Sequence, residues 1–375
     1  MRRWWIYLLL VLASTHCARA IFFVNTNAII MQMTAYEQGQ DQLPFQGRVL
    51  MEPAMRWAHQ NHAMQRVSDR LNENKLVVEP YTPEKVLSIL IGCVAVCLLG
   101  LLANYAGRQV AGPLWWLPWA IVLAILYTSY AARAEQAYWY PYDLPEFLLF
   151  GLGTVFAMRR QVVALLLLMP LIALNRETAI LLVPLWIAAA WPERGESGRR
   201  TILALQTAAL LAAWAVVRVL IARHFAHNPS MTGSRIPRNL GDFANPRHWP
   251  QMASALSFLL PVVTLNWRRL SVRSQRMLWA MWVCLPVLLY FGIWTESRIF
   301  DEFTLLVAVL ATEALMSYLQ QWRLSASCEA ETDTSYQPGT GGEHRSLTGR
   351  PEAADRREIL PESSAEVKQN APKYI

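Results

Sequence analysis

The sequence predicts an all-α protein whose helices cross a membrane about ten times. Between about residues 86 and 321, uncharged apolar stretches alternate with short polar loops, and arginines concentrate in every second loop. A helix needs roughly 20 apolar residues to cross the hydrocarbon core, and the stretches at residues 86–107, 109–132, 249–267 and 277–295 approach or exceed that length. The composition agrees, because 54% of the residues are hydrophobic and 16 are tryptophan, which is unusual for a soluble domain.

Residues 1–24 form the first element, and two interpretations of them stay open. Two arginines precede an apolar run at residues 4–13, and the sequence ARA at residues 18–20 resembles a signal-peptidase site. A further apolar stretch follows immediately, so the segment is either a signal peptide cleaved after Ala20 or a retained signal anchor, which we favour. Both interpretations place the polar residues 25–84 outside, as the first extracytoplasmic loop.

Residues 85–322 are predicted to form the transmembrane helical domain. With the amino terminus inside, the densest arginine clusters of the connecting loops, at residues 159–160, 193–200 and 268–276, fall in the cytoplasm, as the positive-inside rule requires. The spans after the first are expected near residues 85–106, 112–131, 144–158, 161–174, 178–191, 201–222, 252–267, 277–294 and 303–321.

The uncertain step in this topology lies at residues 161–191, which form either one long helix or two short ones separated by the polar residues 175–177. A single helix would place the downstream arginine clusters outside. Two segments therefore fit the charge pattern better.

The remaining composition excludes several classes of function. Residues 323–375 are rich in polar, glycine and proline residues, which predicts a disordered cytoplasmic tail. The net charge of +7 arises mainly in loops that flank apolar spans, so it indicates topology and no nucleic-acid partner. The five cysteines are scattered, and the histidine pairs His59/His62 and His224/His227 have no accompanying acidic pattern, so no metal site is predicted.

This topology collects the unusual polar sequences on the outer side. Charged side chains next to apolar spans are costly when they face lipid, by roughly 2.5–3.5 kcal/mol each near the bilayer centre. Ion pairs that join helix ends are one explanation, but five separate segments would then need such pairs. A shared polar cavity explains all of them. The five outer segments are residues 25–84, 138–146, 175–178, 223–250 and 296–302.

Four short motifs in these segments carry a resemblance. They read PFQGRVL at residues 44–50, YDLP at 142–145, NRETA at 175–179 and ESRIF at 296–300. Together they resemble bacterial multi-span proteins related to the GT-C glycosyltransferases, over roughly residues 20–320. The resemblance implies a GT-C-like fold and a sugar donor carried on a polyprenyl phosphate.

The resemblance also implies roles for individual residues. An acidic residue of the first outer loop is expected to act as base or metal ligand, which here is Glu37 or Asp41. Removing a proton from the acceptor hydroxyl suits such a carboxylate. Arginines neutralise a leaving phosphate best through paired hydrogen bonds, and the candidates are Arg48, Arg176 and Arg298. The remaining candidates for substrate binding in these motifs are Asp143, Asn175, Glu177 and Glu296.

Loop one departs from the stronger family pattern, because it has neither an adjacent Asp-Asp pair nor a close Glu-x-Asp pair. A divalent cation is therefore an optional cofactor. Glu37 and Asp41 are four residues apart and would share a face only in a helix, and Gly39 between them disfavours one.

The expected function is the transfer of a sugar from a polyprenyl-phosphate donor to a cell-envelope acceptor, on the outer side of the bacterial cytoplasmic (inner) membrane. The expected partners are membrane lipid and the lipid-linked donor. Two alternatives stay open. Intramembrane charges and interrupted helices are also typical of a transporter or flippase, and the polar tail suits a non-catalytic membrane subunit.

Overall fold

The computed structural model describes residues 3–27, 31–73, 80–130, 138–192, 197–230, 233–294 and 296–334. The chain divides into two compact units, Met1–Ser325 and Ala326–Ile375. Of the second unit the structure describes only residues 326–334, which are helical. The last helix therefore includes the first part of the predicted tail, and the rest of that tail lies outside the described residues.

The described chain is helical almost throughout, which confirms the all-α prediction. Two short strands, β1 (Thr26–Asn27) and β2 (Tyr138–Trp139), pair in parallel and connect the end of the first helix to the segment before α7. The helices are α1 (Arg3–Val24), α2 (Met33–Glu37), α3 (Glu52–Gln60), α4 (His62–Asn72), α5 (Pro83–Ala111), α6 (Leu117–Tyr130), α7 (Asp143–Met158), α8 (Val162–Asn175), α9 (Leu182–Ala190), α10 (Ser197–His224), α11 (Ile236–Ala244), α12 (Trp249–Ala253), α13 (Leu259–Leu265), α14 (Val272–Phe291) and α15 (Thr304–Thr334).

The predicted first outer loop is an ordered layer that contains α2, α3 and α4. Asn61 ends α3 and caps α4, since its side-chain oxygen accepts hydrogen bonds from the backbone N–H groups of Ala63 and Met64. The hydroxyl of the fully buried Tyr36 donates a hydrogen bond to the backbone carbonyl of Arg48. This layer therefore fixes the position of Arg48.

Among the residues that the structure describes, three helical segments are long and apolar enough to cross a membrane, namely Trp4–Val24, Pro83–Leu114 and Gly198–His224. Four shorter apolar helices accompany them: Leu117–Tyr130, Val162–Asn175, Glu177–Ala190 and Ala255–Leu265. Many large apolar side chains on these helices are exposed, among them Val94, Val163 and Leu205. Lipid solvates such side chains as well as a protein core does. The chain is a helical membrane protein.

Helix α1 is an integral part of the fold, because small residues let it and α6 approach α5 closely. A Cβ atom on Gly100 of α5 would lie only 2.0 Å from Nε1 of Trp119. Trp119 is completely buried, and its indole N–H donates a 2.9 Å hydrogen bond to Oγ of Ser14 on α1. At Gly92 of α5 a Cβ would lie 2.9 Å from the ring of Phe22, also on α1.

Residues 161–191 form two segments, as predicted. Helix α8 ends at Asn175, and Arg176 has an extended backbone with φ −156° and ψ 146°. A short 3₁₀ helix, Glu177–Leu181, then leads into α9. The break places the polar residues 175–177 between two apolar helices, beside the site described below.

The apolar stretch at residues 252–267 differs from the single span that was predicted. It is divided into the end of α12, a 3₁₀ turn at Ala255–Phe258 and α13. Leu256, Ser257 and Phe258 have left-handed backbone angles, with φ of 52°, 58° and 62°. Such residues cannot continue a right-handed helix. The Ser257 hydroxyl donates a 3.1 Å hydrogen bond to the carbonyl of Ala124 on α6, which helps to hold the turn in place.

Candidate functional site

A cavity of about 550 Å³ lies where the five predicted outer segments meet. Loop one contributes Arg48, the start of α7 contributes Asp143, and the break after α8 contributes Arg176 and Glu177. The predicted convergence of these segments is present in the structure. The other lining residues are Leu43, Pro44, Phe45, Tyr140, Thr178, Ile180, Leu181, Trp214, Arg218, Ile221, Ala222, Gly233, Arg235, Val287, Leu288, Gly292, Ile293, Glu296 and Ile299.

A bidentate ion pair joins loop one to the helix break. Nη2 of Arg48 lies 2.9 Å from Oε1 of Glu177, and Nε lies 3.4 Å from Oε2. The two side chains are 10% and 29% exposed. The Arg48 guanidinium also lies over the ring of Tyr142, 4.7 Å from its centroid. These contacts place the guanidinium firmly at the wall of the cavity, because its planar fork matches the carboxylate.

A second buried pair lies next to the first. Nη1 of Arg176 lies 3.4 Å from Oε1 of Glu302, and the hydroxyl of Thr178 donates a hydrogen bond to the same carboxylate oxygen. Asn175 fixes the turn from behind, since its side-chain amide donates to the Tyr142 carbonyl at 3.1 Å and to Oε2 of Glu146 at 2.7 Å. Buried charges are stable when they are paired and hydrogen-bonded in this way.

Helix α10 also contributes to the cavity lining. Nη1 of Arg218 donates hydrogen bonds to the backbone carbonyls of Gly47 at 3.0 Å and Ala173 at 3.3 Å. The indole N–H of Trp214 donates to the Glu177 carbonyl at 3.0 Å. Helix α10 therefore binds both loop one and the helix break.

The cavity lining combines charged groups with apolar side chains, and the apolar part is called its apolar wall. Among the described residues, four arginines and three carboxylates line it, a formal excess of one positive charge. Aliphatic side chains such as Ile180, Ile221 and Leu288 line the rest. One carboxylate oxygen, Oδ2 of the buried Asp143, makes no hydrogen bond within the described residues. Asp143 interacts electrostatically with both Arg48 and Arg176.

The structure brings together most of the predicted substrate-binding residues. Arg48, Asp143, Arg176, Glu177 and Glu296 all line the cavity. Asn175 lies immediately behind it, as its hydrogen bonds show. For Arg298 only the backbone is described, in the 3₁₀ helix Ser297–Phe303, and its side chain lies outside the described residues.

The two predicted catalytic carboxylates do not line this cavity. Asp41 is buried in loop one, where its Oδ1 accepts a 2.9 Å hydrogen bond from the backbone N–H of Gln42. Burial raises the pKa of the Asp41 carboxyl above its ordinary value, and hydrogen bonds from backbone N–H groups partly offset the rise. Asn228 donates a 2.8 Å hydrogen bond to the Asp41 carbonyl, which ties loop one to the end of α10.

Glu37 instead lines a second cavity of about 330 Å³, together with His59 and Glu84. Burial raises the pKa of Glu37 to about 7, and the neighbouring Glu84 adds to the rise. Glu37 and Asp41 diverge because α2 ends at Glu37 and Gly39 turns the chain with φ 74°. The two carboxylates therefore do not share one face, as Gly39 between them led us to expect.

Sequence reasoning missed the contribution of α10. Arg218 falls within a predicted span, and Trp214 lies one helical turn before it. An arginine inside an apolar span is itself a signal of function. This signal was missed because only the charged residues in the loops between spans were compared.

Comparisons of the chain with protein-family models, with curated proteins and with solved structures found no match.

Proposed function

We propose that the protein is an inner-membrane glycosyltransferase of GT-C type that transfers a sugar from a polyprenyl-phosphate donor to a cell-envelope acceptor on the extracytoplasmic side. The observation that carries the proposal is the cavity, whose lining combines arginines with an apolar wall. A polyprenyl-phosphate sugar has the matching chemistry, since it combines an anionic phosphate with a long hydrocarbon chain.

The proposed topology has about ten spans, with both termini cytoplasmic. It is supported by the origin of the cavity residues, because all five segments assigned to the outer side contribute to one site. Segments that lie on the same side of the membrane can converge on one site without crossing the hydrocarbon core. The short helices α8 and α9 then form a broken pair whose polar turn lines the cavity, where irregular backbone is tolerated.

In the proposed complex, the donor phosphate binds Arg48, Arg176 and Arg218. Guanidinium groups bind phosphate through two parallel hydrogen bonds and remain charged in a partly buried site. The prenyl chain lies along Ile221 and Leu288, on the apolar wall. The phosphate is thereby held where the arginines meet the apolar wall.

We assign proton abstraction to Asp143 in place of Glu37 or Asp41, because Asp143 lines this cavity and they do not. Its unpaired Oδ2 accepts the proton of the acceptor hydroxyl as that oxygen bonds to the anomeric carbon. The bond from this carbon to the phosphate oxygen breaks, and the phosphate leaves with the bonding electrons. The arginines stabilise the charge that develops on it.

The test offers nanodisc-held protein a panel of polyprenyl-phosphate sugars with membrane extract and follows donor consumption. We expect one donor to be consumed, and we expect Asp143→Asn to slow this by about 10²–10⁴-fold, the usual contribution of a general base. Asp69→Asn is the matched control, because Asp69 is exposed on α4. Its activity should equal that of the wild type.

Two outcomes would contradict the proposal. If folded protein consumes no donor but moves a lipid-linked substrate across sealed vesicles, the protein is a transporter. If Asp143→Asn retains wild-type activity while a donor is consumed, the transferase stands and the assignment of the base is wrong.

A further inference from the structure

A cluster of three potential metal ligands lies in the second cavity, apart from the arginines that line the first cavity. It joins Glu37 of α2, His59 of α3 and Glu84 of α5. Nδ1 of His59 lies 2.6 Å from Oε1 of Glu84 and 3.6 Å from Oε2 of Glu37. One ligand atom from each residue lies within 4.8 Å of the other two.

The two carboxylates of this cluster are buried side by side. Glu37 is 6% exposed and Glu84 is 4% exposed. Two like charges that are buried together repel each other strongly unless a cation or a proton lies between them. A carboxylate pair of this kind is typical of a cation site, and the imidazole adds a third ligand.

A second observation indicates that a ligand belongs here. Oε1 of Glu37 is buried and has no hydrogen-bond partner within the described residues. Most buried polar atoms in proteins are paired, and a cation in this cavity would give the oxygen a partner. The backbone of Glu37 is well fixed, because Nε of Arg56 donates a 2.8 Å hydrogen bond to its carbonyl.

We propose that Glu37, His59 and Glu84 bind a Zn²⁺ ion. Zinc accepts both imidazole nitrogen and carboxylate oxygen as ligands, and a water beside the three side chains would complete four-coordination. A hard cation such as Mg²⁺ or Ca²⁺ prefers oxygen ligands alone. The ligand lengths of zinc, about 2.0–2.2 Å, place tetrahedral ligand atoms about 3.3–3.6 Å apart.

The separation of His59 from Glu37 already fits this geometry. The 2.6 Å contact between His59 and Glu84 is a hydrogen bond, and it opens by about 1 Å when the metal binds. His59 can make this movement, since its side chain is 60% exposed. Lys85 also lines the cavity, and its ammonium lies 5.4 Å from the centroid of the Tyr81 ring.

The zinc ion would join α2 and α3 of the outer layer to the start of the long helix α5. Tyr36, next to Glu37, donates its hydroxyl to the Arg48 carbonyl. The metal therefore stabilises the part of loop one that presents Arg48 to the main cavity. This role does not depend on which reaction the main cavity performs.

The experiment measures zinc binding to the full-length protein in nanodiscs, purified without a polyhistidine tag. Zn²⁺ is titrated in competition with a chromophoric chelator, and bound metal is counted by elemental analysis. We expect one saturable site in the wild type and at least tenfold weaker binding in His59→Ala and Glu84→Gln. His62→Ala is the matched control, because His62 lies three residues away and is hydrogen-bonded to Gln65, outside the cluster. This variant should bind zinc as the wild type does.

The folding of each variant is checked by gel filtration and helical circular dichroism. His59→Ala keeps the test valid if a carboxylate variant misfolds, because an exposed histidine contributes little to stability. A second readout is the absorbance of Co²⁺ as a zinc substitute, which reports a tetrahedral site directly. The proposal is overturned if the wild type binds no stoichiometric zinc, or if His59→Ala and His62→Ala bind it equally well.

Discussion

Glu177→Gln should weaken the fold and strengthen the binding of an anionic lipid, two effects of opposite sign from one substitution. Glu177 neutralises Arg48 through two hydrogen bonds, the shorter of 2.9 Å. Glutamine has the same shape but no charge, so it leaves the Arg48 guanidinium without its counterion. The cavity then gains one further unit of positive charge.

The cost in stability follows from the burial of the pair. Removing one partner of a buried ion pair costs about 3–5 kcal/mol. Glu177 retains 29% side-chain exposure, and Arg48 keeps its contact with the Tyr142 ring. We therefore expect the free energy of unfolding to fall by about 2–3 kcal/mol, below the full buried-pair cost.

The gain in binding follows from Coulomb's law. A phosphate bound by Arg48 lies about 5–6 Å from the Glu177 carboxylate, and removing a unit charge at that distance is worth about 3 kcal/mol at an effective dielectric constant of about 20. Water in the cavity reduces this value. We therefore expect Glu177→Gln to bind the phosphate with a Kd at least tenfold lower than that of the wild type, which corresponds to about 1.4 kcal/mol.

The assay pairs unfolding in detergent micelles with equilibrium binding of a short-chain polyprenyl monophosphate. Glu73→Gln is the control, because Glu73 is exposed at the end of α4, and both of its values should match the wild type. The reasoning is refuted if Glu177→Gln is as stable as the wild type and binds the phosphate no more tightly.

Two further predictions concern the packing of the helices. Gly100→Ala should lower the free energy of unfolding by about 2–4 kcal/mol, because the added Cβ displaces the Trp119 ring and breaks its hydrogen bond to Ser14. Chemical unfolding measures this change. The control is Gly198→Ala, which has open space around it and should be neutral or stabilising by up to about 1 kcal/mol. The packing of α1 against α5 and α6 also predicts that the amino-terminal helix is retained. Intact-mass spectrometry of protein purified from membranes should therefore find no cleavage after Ala20. The mass of a chain that begins at Ile21 would contradict the retained helix.

The sequence predicts those parts of the site that local chemistry determines. Charges at the ends of apolar segments mark the turn at Arg176 and the start of α7 at Asp143, because burying them in lipid is costly. The same cost explains why the five outer segments meet in one cavity. Local patterns are sufficient for this, since each motif is contiguous in the chain.

Other parts depend on tertiary contacts that leave no local pattern. His59 and Glu84 are 25 residues apart, and only the packing of α3 on the start of α5 brings them together with Glu37. The left-handed turn at Leu256–Phe258 contains no glycine or proline, so nothing in the local sequence distinguishes it from a continuous apolar helix. It exists because neighbouring helices hold it.

The most direct test of the proposed function is donor consumption by the wild type and by Asp143→Asn at equal donor occupancy, measured by binding of the same polyprenyl-phosphate sugar. If the main cavity is a transferase site, the variant binds the donor as the wild type does and consumes it at least about 100-fold more slowly. Equal rates in the two proteins would contradict the assignment of Asp143 as the base, and no consumption by folded wild-type protein with donor bound would contradict the transferase.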